Sequence, residues 1–271
     1  MEDPAALLEA CVQHLAAAAA AAAQPSGDER HAAAAPDAPL GLTAEVVRAL
    51  ASWLTPLVPR ATVAAHAPRA AGALLALLAV APRQAPPPSH VPLAPRAAVA
   101  AGAGAPACGH DLARTDQRET LRVLLAALGL LGALDGVWAE LASAGSGVRP
   151  LVMVAEEAAA GRVAPEVGAE ALRVVGQATR ASDEVVLGLL RDGSAMAALR
   201  ALAEGPEGAA PRARPGPREV QAWGAVRREA AQLLAAMVAL PSTGEAVRLA
   251  VPSRDFWDMV EAAAAEGVAD S

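Results

Sequence analysis

The sequence predicts an all-α protein, an α-solenoid of short helices packed in series, and three observations predict it. Alanine makes up more than a quarter of the 271 residues while aromatics are only 2%, with no Tyr and a single Phe, so strands are poorly provided for. Through the second half of the chain, runs at helical spacing are separated by only a few residues, so successive helices must pack on their neighbours. One helical pattern also recurs three times. The 54% apolar content is enough for a substantial core, in one large domain or two small ones.

Taken in order, Asp3 and Pro4 suit a helix start, and Leu7, Leu8, Cys11, Val12 and Leu15 carry that helix into an alanine tract ending at Gln24-Pro25. Thr43 caps a second helix over 44–57, where Val46, Val47, Leu50, Trp53, Leu54 and Leu57 repeat at helical spacing. Residues 61–81 read as helix broken or restarted at Pro68, because proline is tolerated only in a first turn. Pro86, Pro87 and Pro88, with Gly102 and Gly104, make 82–110 a linker or loop. Asp116 and Glu119 are spaced as a capping box ahead of Leu121, Val123, Leu124, Leu125 and Leu128. Gly129, Gly132 and Gly136 interrupt that pattern before Val137, Trp138 and Leu141. Helices are then expected over 149–160, 165–180, 183–191, 195–204, 217–240, 244–250 and 254–266, with Ser194 and Ser253 as caps and a proline-containing loop at 205–216. The domain reading is an N-terminal helical segment (1–81), a linker (82–110) and a repeat region (111–271).

Laid against itself, the chain aligns Glu119-Thr120-Leu121-Arg122-Val123-Leu124 with Glu170-Ala171-Leu172-Arg173-Val174-Val175 and Glu229-Ala230-Ala231-Gln232-Leu233-Leu234. After the second and third copies come a turn, a short helix, a serine and a longer helix ending in Glu-Gly. Three helices per unit at this spacing are the signature of a helical solenoid. At these residues, most clearly Val226 to Leu234 and over 116–267 as a whole, the chain resembles armadillo and HEAT-like repeats. The resemblance implies a right-handed superhelix and a protein-binding role. In the peptide-binding armadillo members, a Trp three places after the Glu and an Asn seven places after it hold an extended peptide. Here those positions carry Arg122, Arg173 and Gln232, then Ala126, Gln177 and Ala236, so importin-type peptide binding does not come with the resemblance.

At 100° per residue, Glu170, Arg173, Gln177 and Arg180 share a polar stripe opposite Ala171, Val174, Val175 and Ala178. Arg218, Gln221, Arg228 and Gln232 form the stripe of the next copy, and Thr115, Arg118 and Arg122 that of the first. Guanidinium groups bind carboxylates in fork geometry, so such a row suits an acidic segment of a partner protein; solvated intrahelical pairs such as Glu170 with Arg173 are the plainer reading. The four Trp residues read as core filler, with Phe256-Trp257 as a patch that could dock a further domain or chain.

A net charge of −7 argues against nucleic acid as partner. Cys11 and Cys108 suit a reducing compartment, and an acidic N-terminus lacks the charge of a signal peptide, so the expected location is cytoplasmic. The apolar stretches 70–81 and 123–134 fall short of the ~20 residues of a membrane span. Cys11 and His14 with Cys108 and His110 do not have zinc-site spacing, and no phosphate-binding or nucleophile motif is found. No cofactor and no catalytic residue are therefore expected. The function expected is non-catalytic scaffolding or regulation by partner binding; the alternative is an all-helical enzyme or accessory subunit with its site between helices.

Overall fold

The computed structural model describes residues 4–23, 60–80, 108–145, 147–205 and 217–269, and every regular element among them is a helix. In chain order they are α1 (Pro4–Ala23), α2 (Arg60–Val80), α3 (Cys108–Gly132), α4 (Val137–Ser143), α5 (Arg149–Ala159), α6 (Pro165–Ala181), α7 (Asp183–Arg191), α8 (Gly193–Glu204), α9 (Pro217–Val238), α10 (Gly244–Ala250) and α11 (Arg254–Ala269). The all-α expectation holds. The helix expected over 44–57 and the loop at 206–216 lie outside the described residues, as does most of the stretch read as a linker.

Three local readings are corrected. Helix α2 runs unbroken through Pro68. The missing amide removes one backbone bond, but Ala67, Ala70, Ala71 and Leu74 around it are buried, and their packing holds the helix together across the gap. Helix α3 begins at Cys108, not at Asp116, so Asp116 and Glu119 lie inside it and form no capping box. No proline stands between Ala107 and Asp116 to delay the start. Helix α8 is capped by Asp192, not by Ser194: its carboxylate accepts from the Ser194 and Ala195 amides at 3.1 Å and from the Ser194 hydroxyl at 2.6 Å. A carboxylate at a helix N-terminus gains from the dipole as well as from the hydrogen bonds. The Ser194 hydroxyl bond, with the backbone bonds behind it, holds the Asp192 carboxyl below its ordinary range. Ser253 does cap α11, accepting from the Phe256 amide at 3.3 Å.

The helices lie in three rows in which like touches like. Helices α3, α6 and α9 pack in succession, α2, α5 and α8 in succession, and α4, α7 and α10 in succession. Helices α4 to α6 and α7 to α9 are thus equivalent triplets, α10 and α11 open another, and α2 with α3 precede them. Helix α2 also touches α3, α4 and α5, so it is continuous with the repeat packing. The chain turns by 102° between α3 and α4, across Gly136 at φ 82°, which swings the short first helix of the triplet across the longer pair.

Alanine and glycine set how near the rows come. A Cβ on Gly168 of α6 would lie 2.5 Å from the Ala158 Cβ of α5 and 3.3 Å from Val226 of α9, so three helices converge on this one missing side chain. Trp138, 1% exposed, lies against Gly132 at the end of α3, with its indole nitrogen buried and unbonded among the described residues. Leu121, Leu124, Leu125, Leu128, Leu172 and Leu234 fill the interior between rows.

Helix α1 packs along α2, burying Val12, Leu15 and Ala19. Glu9 ties this seam: its carboxylate accepts from Gln13 at 3.0 Å and Arg69 at 3.2 Å, and His66 Nδ1 stands 2.9 Å away. The stretch Ala61–Ala79 of α2 is long and apolar enough to cross a membrane, longer than 70–81 because α2 continues through Pro68. Half of that window is buried in the protein, as in a core helix.

Two outcomes follow from these seams. Gly168→Ala should lower the unfolding free energy by roughly 1–3 kcal/mol, while Gly188→Ala, where a Cβ meets nothing within 4 Å, should raise it by about 0.5–1 kcal/mol; urea unfolding measures both. The Gln13 bond, then Arg69 and His66, hold the Glu9 carboxyl below its ordinary value. Glu9 therefore contributes stability above the unfolded carboxylate range that is lost as pH falls through its lowered folded value. Unfolding followed from neutral to acid pH should show a shallower loss in Glu9→Gln.

Candidate functional site

The third helices of the triplets carry the predicted stripe. On α6, Arg173, Gln177 and Arg180 are exposed and Glu170 half-buried, whereas Ala171, Val174, Val175 and Ala178 are buried, as the periodicity required. On α3, Arg118 and Arg122 are exposed, and on α9 Arg228 is exposed and Gln232 half-buried. Opposite them Val226, Ala230, Leu233, Leu234 and Met237 are buried. The side chains of Thr115, Arg218 and Gln221 lie outside the described ones, although their helices are present.

The row is stitched by ion pairs that repeat one offset. Arg118 Nη2 of α3 lies 3.5 Å from Glu166 of α6, and Arg173 Nη2 of α6 lies 2.8 Å from Glu229 of α9. Counted from Glu119, Glu170 and Glu229 as equivalent residues, the Arg in each pair sits three places further along its helix than its partner Glu. A third contact obeys the same rule: Gln177 Oε1 stands 3.5 Å from where a Cβ on Gly129 would lie. Leu233 against Gly176 is offset by two places. At 1.5 Å per residue the ion-pair offset is about 4.5 Å. Other contacts run the same way by different amounts, Val174 against Gly129 by six places and Gly168 against Val226 by one, so both seams are shifted in one direction without sharing a single step.

Arg173 is held by two carboxylates. Its Nε donates to Glu229 at 2.9 Å and its Nη1 to Glu170 at 3.1 Å. Burial pulls its pKa down, but the Glu229 bond and charge, with Glu170 behind, outweigh this and hold it above the ordinary arginine value. Arg118 and Arg173 are therefore committed within the protein. Among the described residues, Arg122, Arg180 and Arg228 make no ion pair. The partners Glu166 and Glu229 had no signal in the sequence, since pairing across helices follows from the stagger.

Arg227, next to the stripe, is turned the other way. Its Nε donates to the Ala203 carbonyl at 3.1 Å, closing the C-terminal end of α8, and Nη2 reaches Met259 Sδ at 3.5 Å. Phe256 and Val260 are buried, the Trp257 indole donates to the Val251 carbonyl at 2.8 Å, and Arg200 lies 5.5 Å over the Phe256 ring. The expected C-terminal aromatic patch is thus folded inward. What α11 exposes is Arg254, Asp255, Asp258 and Glu261, a solvated outer face.

On the other side of the molecule a half-open cleft of about 690 Å³ lies between α2, α4, α7 and the start of α5. Leu75, Trp138, Val185 and Leu189 line it, with Arg149, Glu184, Arg191 and Asp192 at its rim. Arg149 Nη2 binds Glu156 at 3.0 Å, and burial pushes the Glu156 carboxyl above its ordinary value against that arginine's pull. The buried Arg149 Nη1 and Trp138 Nε1 are closed off by protein atoms, so neither presents a donor to the cleft. Among the described residues no three His, Cys, Asp or Glu side chains are placed to hold a metal. Cys11 is a free thiol pushed up by burial, and the side chains of Cys108 and His110 fall outside the described ones.

Neither a protein-family model, nor a curated protein, nor a solved structure matches the chain.

A double-mutant cycle at Arg173 and Glu229, read by urea unfolding, should give a coupling of about 0.3–1 kcal/mol that shrinks at high salt, because Arg173 is more than half exposed. Zero coupling at low salt would remove the staple from the account of the row.

Proposed function

We propose that the chain is a non-catalytic scaffold or regulatory module, a right-handed armadillo- or HEAT-like solenoid that receives a segment of a partner protein along its third helices. The like-on-like packing of α3, α6 and α9, with their polar stripes exposed side by side, carries this reading. The shift in one direction at both seams suits a superhelix, in which each unit is displaced the same way from the last. Arg122, Arg180 and Arg228, with Gln177 and Gln232, are the groups left to meet a ligand, and the cations among them suit carboxylates. Arg118 and Arg173 hold the seams. A reducing, cytoplasmic setting fits the sparse cysteines.

The cleft between α2, α4 and α7 favours a second reading, an enzyme or accessory subunit with its site between helices. Its rim charges balance two against two; Arg149 is held by Glu156 and the Asp192 carboxylate is taken up in capping α8.

Selection of a random peptide library on the immobilised protein tests the scaffold reading. Selected peptides should lose about tenfold or more in affinity for the triple variant Arg122→Glu, Arg180→Glu, Arg228→Glu, with unchanged helicity. Equal binding to the variant would sink the groove.

A further inference from the structure

The methionines of the described residues differ in their surroundings in a way that bears on oxidation. Met196 of α8 and Met237 of α9 are buried, and Met153 of α5 is half-buried. Met259 of α11 is half-buried too, and among the described residues its sulfur is the one that takes a hydrogen bond, from Arg227 Nη2 of α9 at 3.5 Å. A thioether is a weak acceptor, so this contact by itself holds little. Other contacts place the guanidinium. Its Nε donates to the Ala203 carbonyl at the end of α8 at 3.1 Å, and its Cδ lies 3.4 Å from the Cβ position of Gly205, the residue whose φ of 85° closes that helix. Arg227 makes no ion pair among the described residues, so no carboxylate takes up its remaining donors. A cation is thus held in advance over a sulfur that offers it almost nothing to bind.

Oxidation changes that sulfur. With hydrogen peroxide, the thioether lone pair attacks one peroxide oxygen, an S–O bond forms as the O–O bond breaks, and water leaves; the sulfur is oxidised by two electrons and the peroxide reduced by two. The sulfoxide oxygen is a polar acceptor, and in a core it disrupts packing because no donor meets it. At Met259 a charged donor is already in place, and hydrogen bonds from an ionised donor are the strong ones. We propose that Met259 is a peroxide-modifiable site whose sulfoxide, bonded by Arg227, tightens the junction of α8, α9 and α11 instead of loosening it. The modification is reversible, since methionine sulfoxide reductases restore the thioether.

The test treats the full chain carrying Met153→Leu with hydrogen peroxide and maps its peptides by mass. Met259 should gain one oxygen while the buried Met196 and Met237 stay unmodified. Amide hydrogen exchange over 198–204 and 254–263 should then slow by roughly threefold or more relative to the untreated protein. The melting temperature should not fall on oxidation when Arg227 is present, and should fall by roughly 2–4 °C on oxidation of the Arg227→Leu variant. Met259→Leu should remove the peroxide effect altogether. Faster exchange in the oxidised protein would overturn the proposal. So would an equal fall in melting temperature with and without Arg227→Leu, or oxidation that reaches Met196 and Met237 as readily as Met259.

Discussion

Close approach between helices is the constraint on which the rest of this structure depends. An alanine buries little surface, so a chain this rich in it gains stability only where helix backbones come near enough for the few larger side chains to be enclosed. Gly168 shows the condition plainly, with α5, α6 and α9 meeting where it has no side chain. Gly132 under Trp138 does the same for the largest buried residue. Leu121, Leu124, Leu128, Leu172 and Leu234 then fill what the small residues leave between rows.

Once the rows are held that near, their exposed edges are brought into contact as well, and ion pairs span the seams. Arg118 with Glu166 and Arg173 with Glu229 use one stagger at two seams. Each pair is worth little alone, being largely exposed. Pairing nevertheless decides the chemistry of the face, because arginines spent on the seams are not available to a ligand.

The ends and the far side follow the same logic. Helix α11 turns Phe256 and Val260 inward and, along its first half, shows Arg254, Asp255, Asp258 and Glu261 outward. Helix α1 is held to α2 by Val12, Leu15, Ala19 and the Glu9 cluster. The cleft beside Trp138 lies between α2, the short helices α4 and α7, and the start of α5.

Helix class, most helix limits after Arg149, and the buried and exposed faces of α6 and α9 were determined by the sequence alone, because the period of apolar residues is a local property that packing did not have to override. The repeat itself was legible for the same reason, through Glu119, Glu170 and Glu229. Tertiary structure decided the rest. Pro68 stays inside a helix because neighbours bury the turns around it, and Asp192 outcompetes Ser194 as a cap through local geometry that spacing does not encode. Which arginines are held and which are free depended on Glu166 and Glu229, each on a different helix from the residue it binds. A one-dimensional pattern fixes which way a side chain leaves its helix; only the step between helices settles what it meets there.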